Sequence, residues 1–162
     1  MSATFEWSES NTVSETITDG IANVNFGSND SSELDTATYP IVRGSSSFEK
    51  YIRAKFSDVF TEISNIIFWK SAGALVTGET IKAAVNVAFT TPSSTANADS
   101  AVPTTEGTAL SLQSAEGAAT IVYGASGVSG YTGYIRLQTS STLSTPTGAG
   151  NQKTFTMQYD EV

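Results

Sequence analysis

The stretch SSSFEKYIRAKFSDVFTEISNIIFWKSAG, residues 45–73, is the densest apolar run in the chain and constrains the fold more than any other segment. Wound as a helix, it would line Phe48, Ile52, Phe56, Val59, Phe60, Ile63 and Ile67 along one face, with Ser47 as cap. Extended as strands, YIRAKFS sets Ile52, Ala54 and Phe56 against Tyr51, Arg53, Lys55 and Ser57, and SNIIFWKS is a compact run of β-branched and aromatic residues. The two periodicities nearly tie, so propensity decides. IIFW is crowded for a helix, and the neighbouring segments are rich in Gly, Ser and Thr. We expect a strand, one helical turn at DVFTEI, then a second strand, with a single long helix as the alternative. Trp69 is expected in the core.

The composition supports sheet. The 162 residues include 23 Ser, 23 Thr and 13 Gly against 15% charged residues, a mixture that favours strands and turns over long surface helices. A chain of this length builds one domain and buries roughly two thirds of its unfolded surface.

Along the chain, residues 1–38 read as an N-terminal arm with one or two edge strands, and residues 39–162 as the body. Phe5 and Trp7 share one side of an extended segment. TIKAAVNVAFTT predicts a strand with Ile81, Ala83, Val85, Val87 and Phe89 on one face. PSSTANADSAVPTTEG, residues 92–107, is a long polar loop, a length that in compact domains marks function or disorder. TALSLQSA and TIVYG predict short strands. GYIRLQTSSTL alternates Tyr134, Arg136 and Gln138 with Ile135 and Leu137, and KTFTMQYDEV closes the chain with Phe155, Met157 and Tyr159 on one face. Seven or eight strands spaced by turn signals predict an all-β fold, a single jelly-roll-like β-sandwich with a partly extended N-terminal arm.

Several chemistries lose their usual residues. The chain has no Cys and no His, which removes disulfides, thiolate nucleophiles, the common neutral-pH general base and most transition-metal ligand sets. The net charge is −8 and the eight Lys and Arg are scattered, whereas phosphate binding needs clustered cations. No nucleic-acid partner is expected. The start, MSATFEWSESNTVSETITDG, has neither a cationic n-region nor an apolar h-region, and no later run is long enough to span a bilayer, so no membrane association is expected.

The remaining constellations carry weak chemistry. YGASGVSGYTGY spaces Gly124, Gly127, Gly130 and Gly133 by three, a flexible hairpin loop rather than a dinucleotide fingerprint. Asp30, Glu33 and Asp35 lie close together beside Asn29 but lack the spacing of an EF-hand, so they read as a solvated acidic turn. Tyr131 and Tyr134, beside the Gly-rich loop, are the surface aromatics that keep a carbohydrate-binding module in play. No catalytic residues, cofactor or metal site are expected.

YPIVRGSSSFEKYIRAKFSDVFTEISNIIFWKSAG, with FTTPSSTANADSAVPTTEG downstream and the ending FTMQYDEV, resembles the small Ser/Thr/Gly-rich virion proteins of tailed bacteriophages over about residues 39–162. The likeness is one of texture and segment order and transfers no site residues. It implies an auxiliary head protein, a capsid decoration or cement protein, that is assembled in the host cytoplasm and binds the outer surface of the phage head. The implied partners are major capsid protein subunits and copies of itself. The expected contact surfaces are the arm around Phe5 and Trp7, the loops 92–107 and 124–133, and Tyr131 and Tyr134. The alternative is a tail- or fibre-associated or carbohydrate-binding β-sandwich for host recognition.

Overall fold

The protein is described by a computed structural model over residues 3–58, 60, 62–112, 122–123, 130–148 and 150–161. Its strands are β1 (Thr4–Asn11), β2 (Thr16–Asp19), β3 (Lys50–Ser57), β4 (Glu62–Ala72), β5 (Glu79–Asn86), β6 (Ser100–Ala101), β7 (Leu110–Ser111), β8 (Val122–Tyr123), β9 (Gly130–Tyr131), β10 (Tyr134–Ser141) and β11 (Thr154–Glu161). A single 3-10 turn, Glu106–Thr108, interrupts them among the described residues. All pairings are antiparallel, and they make two sheets. The larger runs β2-β1-β3-β10-β5-β6, with β9 sharing β3's edge with β10. The smaller runs β11-β4-β7, with β8 sharing β4's edge with β7. The expected β-sandwich is therefore present, while this strand order does not establish a jelly-roll winding.

The apolar stretch that set the problem is two strands in two different sheets. Asp58, between them, takes a left-handed φ of 71°, and Glu62 and Ile63 already belong to β4, so the one helical turn expected at DVFTEI does not form in its described residues. Val59 and Thr61 lie outside the described residues. In β3 the alternation holds: Ile52, Ala54 and Phe56 are buried in the core, and Arg53, Lys55 and Ser57 point away from it.

In β4 the alternation is broken by one extra residue. Gln158 pairs with Ile67 and Asp160 with Ser64, so two residues of β11 span three of β4. Asn65 takes up the difference with a φ of 50°, a backbone state that Asn tolerates better than most residues. The bulge puts Ile63, Ile66 and Phe68 inward and leaves Trp69 half-exposed, which corrects the expectation that Trp69 is core. β5 also stops short of its expected length. Ile81, Ala83 and Val85 reach the core, Val87 is exposed, and Phe89 packs instead against Tyr51 and Tyr134.

Residues 4–11, read as part of an arm, are seated between β2 and β3. Phe5 and Trp7 face the smaller sheet: Phe5 stacks on Tyr159 at 6.0 Å, and Trp7 meets the edge of Phe68 at 6.2 Å. Phe56 packs edge-on to both Phe5 and Tyr159, and Phe155 stacks on Phe68 at 5.5 Å. Edge-to-face and offset pairs of this kind add to the simple burial of apolar area. Past Trp7 the same face of β1 turns polar, with Glu9 and Asn11 buried at one end of the sandwich.

Phe56 is fully buried at the centre of this aromatic seam. Phe56→Ala should lower unfolding free energy by about 3–5 kcal/mol, read as a lower urea midpoint with an unchanged slope. A loss below about 1 kcal/mol would place Phe56 outside the core.

Candidate functional site

The alternation that buries Ile52, Ala54 and Phe56 turns Tyr51, Arg53 and Lys55 to the outer face of the larger sheet. Glu6 and Ser8 from β1, Tyr131 from β9, and Tyr134, Arg136 and Gln138 from β10 join them there. Arg53 is held between two tyrosines, its guanidinium carbon 4.2 Å from the Tyr131 ring centre and 4.6 Å from that of Tyr134. The β1–β2 hairpin brings two carboxylates onto the same group. Glu15 lies 3.6 Å from Arg53 and accepts from the Tyr134 hydroxyl, and Asp19 accepts from the Tyr131 hydroxyl at 3.1 Å. Lys55 bridges Glu6 and Asp19, at 2.8 Å from each.

A second set lies beyond Tyr51. Arg136 makes two hydrogen bonds to Asp99, at 2.8 and 2.6 Å, and sits 3.6 Å from Glu49. Gln138, fully buried, donates to the carbonyls of Ser47 and Thr95 and accepts from the Asn97 amide. Asn97 and the Ser93 amide also donate to Glu49. The 92–107 loop, expected as a contact surface, is fastened over this face through Ser93, Thr95, Asn97 and Asp99.

The charges tune one another. Burial alone would raise the Asp19 carboxyl, but hydrogen bonds from Lys55, Ser8 and Tyr131 outweigh it and hold the group below its usual value. The Lys55 ammonium is held above its usual value chiefly by Asp19 and Glu6, and the Arg136 guanidinium chiefly by Asp99. Burial, then the bond to Glu15, pushes the Tyr134 phenol up to about 12. Arg53, Lys55 and Arg136 each have a carboxylate partner, and Lys82, opposite Gln138 on the same face, donates to the Asn97 carbonyl, so most of the positive charge here is engaged within the chain.

The expected contact residues therefore separate. Tyr131 and Tyr134 come together around Arg53, each giving a ring face to the guanidinium rather than forming a bare platform for sugars. Phe5 and Trp7 go to the opposite face of the sheet, against the core. Arg53 and Lys55 were placed outward by alternation, but Glu15, Asp19 and Asp99 reach this face through turns that periodicity does not specify. Gly124–Gly127 and the rest of 124–129 lie outside the described residues, while Gly130 and Tyr131 form β9 against β3. In the acidic turn, Asp30 accepts from the Asn11 side chain and the Thr12 amide, and Asp35 from Ala37 and Thr38. Among the described residues no group of three or more acidic side chains is placed to hold a metal ion.

A different kind of surface lies at one end of the sandwich. A cleft of about 1180 Å³ opens between the 21–43 segment and the β10–β11 connection, with Trp7, Ile52, Ile81 and Phe155 in its lining. Its polar groups include Arg43 and Glu79, and Glu79 is paired with Lys153 at 2.6 Å. Exposed apolar side chains flank it: Val42 is 67% and Leu143 75% exposed, and Leu75 lies beside Val76 of the lining. The loops are tied to one another, since Arg43 donates to the Leu143 carbonyl and Thr142 to that of Gly78.

The Tyr134 shift gives a pH test. A phenol whose proton is held to about 12 in the folded state, against 10.0 for the ordinary group, contributes stability that is complete below pH 10 and is lost as pH rises towards 12. The stability difference between the wild type and Tyr134→Phe should therefore be constant up to about pH 10 and shrink above it. A difference that stays flat through that window would contradict the burial and the Glu15 bond.

Comparison with protein-family models, curated proteins and solved structures returns no match for this chain.

Proposed function

We propose that the protein is a non-catalytic structural module that docks on a repeating protein surface: a virion protein of the capsid decoration or cement kind, bound to the outside of a phage head. The observation that carries this reading is the contrast between its two surfaces. The charged groups on the polar face of the larger sheet are engaged mostly with one another and with the loop over it. The end of the sandwich around the cleft instead exposes Val42, Leu75 and Leu143 on loops braced against one another. Apolar side chains gathered on braced loops and rimmed by polar groups suit a protein contact.

The cleft also supplies little for catalysis. Glu79, the carboxylate of the cleft, is held by Lys153 and by the Val76 amide. A cement role works by mass action: a protein that binds the assembled lattice and not the disrupted one stabilises the lattice, and weak contacts repeated by symmetry add up.

The test is co-sedimentation with phage heads that lack the protein, for the wild type and for Leu143→Asp, a change at an exposed position. The wild type should bind saturably, and the variant should bind at least about tenfold more weakly, which is about 1.4 kcal/mol. Absence of binding to heads, with the protein found on tails or retained by a glycan, would move the reading to a tail or host-recognition module.

A further inference from the structure

At the polar end of the core, three side chains with complementary chemistry share one buried site. Glu9 and Lys50 are both fully buried, and Asn11 is 3% exposed. Glu9 Oε1 accepts from Lys50 Nζ at 2.8 Å and from Asn11 Nδ2 at 2.9 Å. The β1–β3 register pairs Ser10 with Tyr51, and its continuation puts Asn11 opposite Lys50 on the same face of the sheet. The amine and the amide are therefore no farther apart than two hydrogen bonds laid end to end, and one carboxylate touches both. Asp30 Oδ1 pins the amide from the other side at 2.8 Å, and the Ser31 carbonyl accepts from Nζ at 2.6 Å.

Two atoms of this group have no hydrogen-bond partner, Glu9 Oε2 and Asn11 Oδ1. Orphaned buried oxygens are uncommon and ask for an explanation. A plain buried ion pair gives none, and it carries a desolvation cost that a hydrophobic pair would avoid.

The geometry points to a covalent amide between Lys50 and Asn11, formed by the chain itself with Glu9 as the catalytic proton carrier. Passing one proton from Nζ to the Glu9 carboxylate, along the hydrogen bond they share, gives a neutral amine and a carboxylic acid. The Nζ lone pair then attacks Asn11 Cγ, and the carbonyl electrons move onto Oδ1. Glu9 takes a proton from the new C–N nitrogen and delivers one to Nδ2. The carbonyl re-forms, the Cγ–Nδ2 bond breaks, and ammonia leaves. The balance is amine plus primary amide to secondary amide plus ammonia, with no oxidant, metal or cofactor. Burial favours it by excluding the water that would keep the amine charged, and the two reacting groups are held together before reaction starts.

The product would tie β1 to β3 by a covalent bond in a chain that has no cysteine to do so. Its effect on the unfolded chain would resemble that of a disulfide closing the same loop.

Peptide mapping of the purified, folded full chain tests this directly. Arg43 is the first Lys or Arg in the sequence, so trypsin should yield residues 1–43 joined to residues 44–53, with no cleavage after Lys50. The intact denatured protein should weigh about 17 Da less than its unlinked form, the mass of ammonia. Glu9→Gln should keep the full mass and release 1–43 and 44–50 as separate peptides. Separate peptides from the folded wild type would overturn the proposal whether or not the variant folds. So would an ammonia loss confined to residues 1–43, the signature of a cyclised asparagine. A folded Glu9→Gln protein that links as fast as the wild type would overturn the role of Glu9.

Discussion

β1 meets β3 through seven consecutive residue pairs, from Thr4 opposite Ser57 to Ser10 opposite Tyr51, and both faces of the sandwich depend on that register. It sets Phe5 and Trp7 beside Phe56 and Ala54, where they reach Tyr159 and Phe68 of the other sheet. It sets Glu6 and Ser8 on the opposite face, where the hairpin to β2 delivers Asp19 and Glu15. A slip of one residue would exchange the two faces, driving Glu6 into the aromatic seam and Trp7 into the ion-pair network. The two patterns therefore specify each other: an alternating strand has one register that satisfies both.

From that seam outward the molecule divides into three environments. The inner face is apolar for most of its length and closes on a polar group at Glu9, Asn11 and Lys50. The outer face is a charged and aromatic layer whose partners are internal, and a loop is fastened over part of it. The cleft end exposes Val42 and Leu143 and binds its own loops together by backbone hydrogen bonds. Rigid support beneath exposed apolar groups is what a docking surface needs, because side chains ordered beforehand lose less entropy on binding. The outer face, with most of its charges paired internally, would restrict competing ionic contacts and help orient the module.

Much of this architecture was legible in the sequence because the sheet period is two and most strands obey it. β3, β5 up to Val85, β10 and the inward set Phe155, Met157 and Tyr159 follow from alternation alone. Trp69 did not, because one inserted residue at Asn65 reverses the phase and no local pattern marks a bulge of that kind. β1, read within an arm with one or two edge strands, lies between β2 and β3, and its inner face mixes Phe5 and Trp7 with Glu9 and Asn11. A hydropathy pattern cannot distinguish a buried ion pair from an exposed one. The outer face was half visible: Arg53 and Lys55 were assigned to it, whereas Glu15, Asp19 and Asp99 arrive through turns set by tertiary contacts. Phe89 likewise leaves its expected strand to cover Tyr51, a packing choice made across the sheet rather than along the chain.

Hydrogen exchange of the backbone amides is the most direct test of the claim that β1 is an integral strand on which both faces depend. Peptides covering Thr4–Asn11 should exchange as slowly as those covering Lys50–Ser57, since the two strands share one ladder and should open together. Exchange of residues 4–11 at the rate of a free extended segment, with β3 still protected, would contradict the account: the aromatic seam, the outer ion-pair layer and the Glu9–Asn11–Lys50 group would lose their common support.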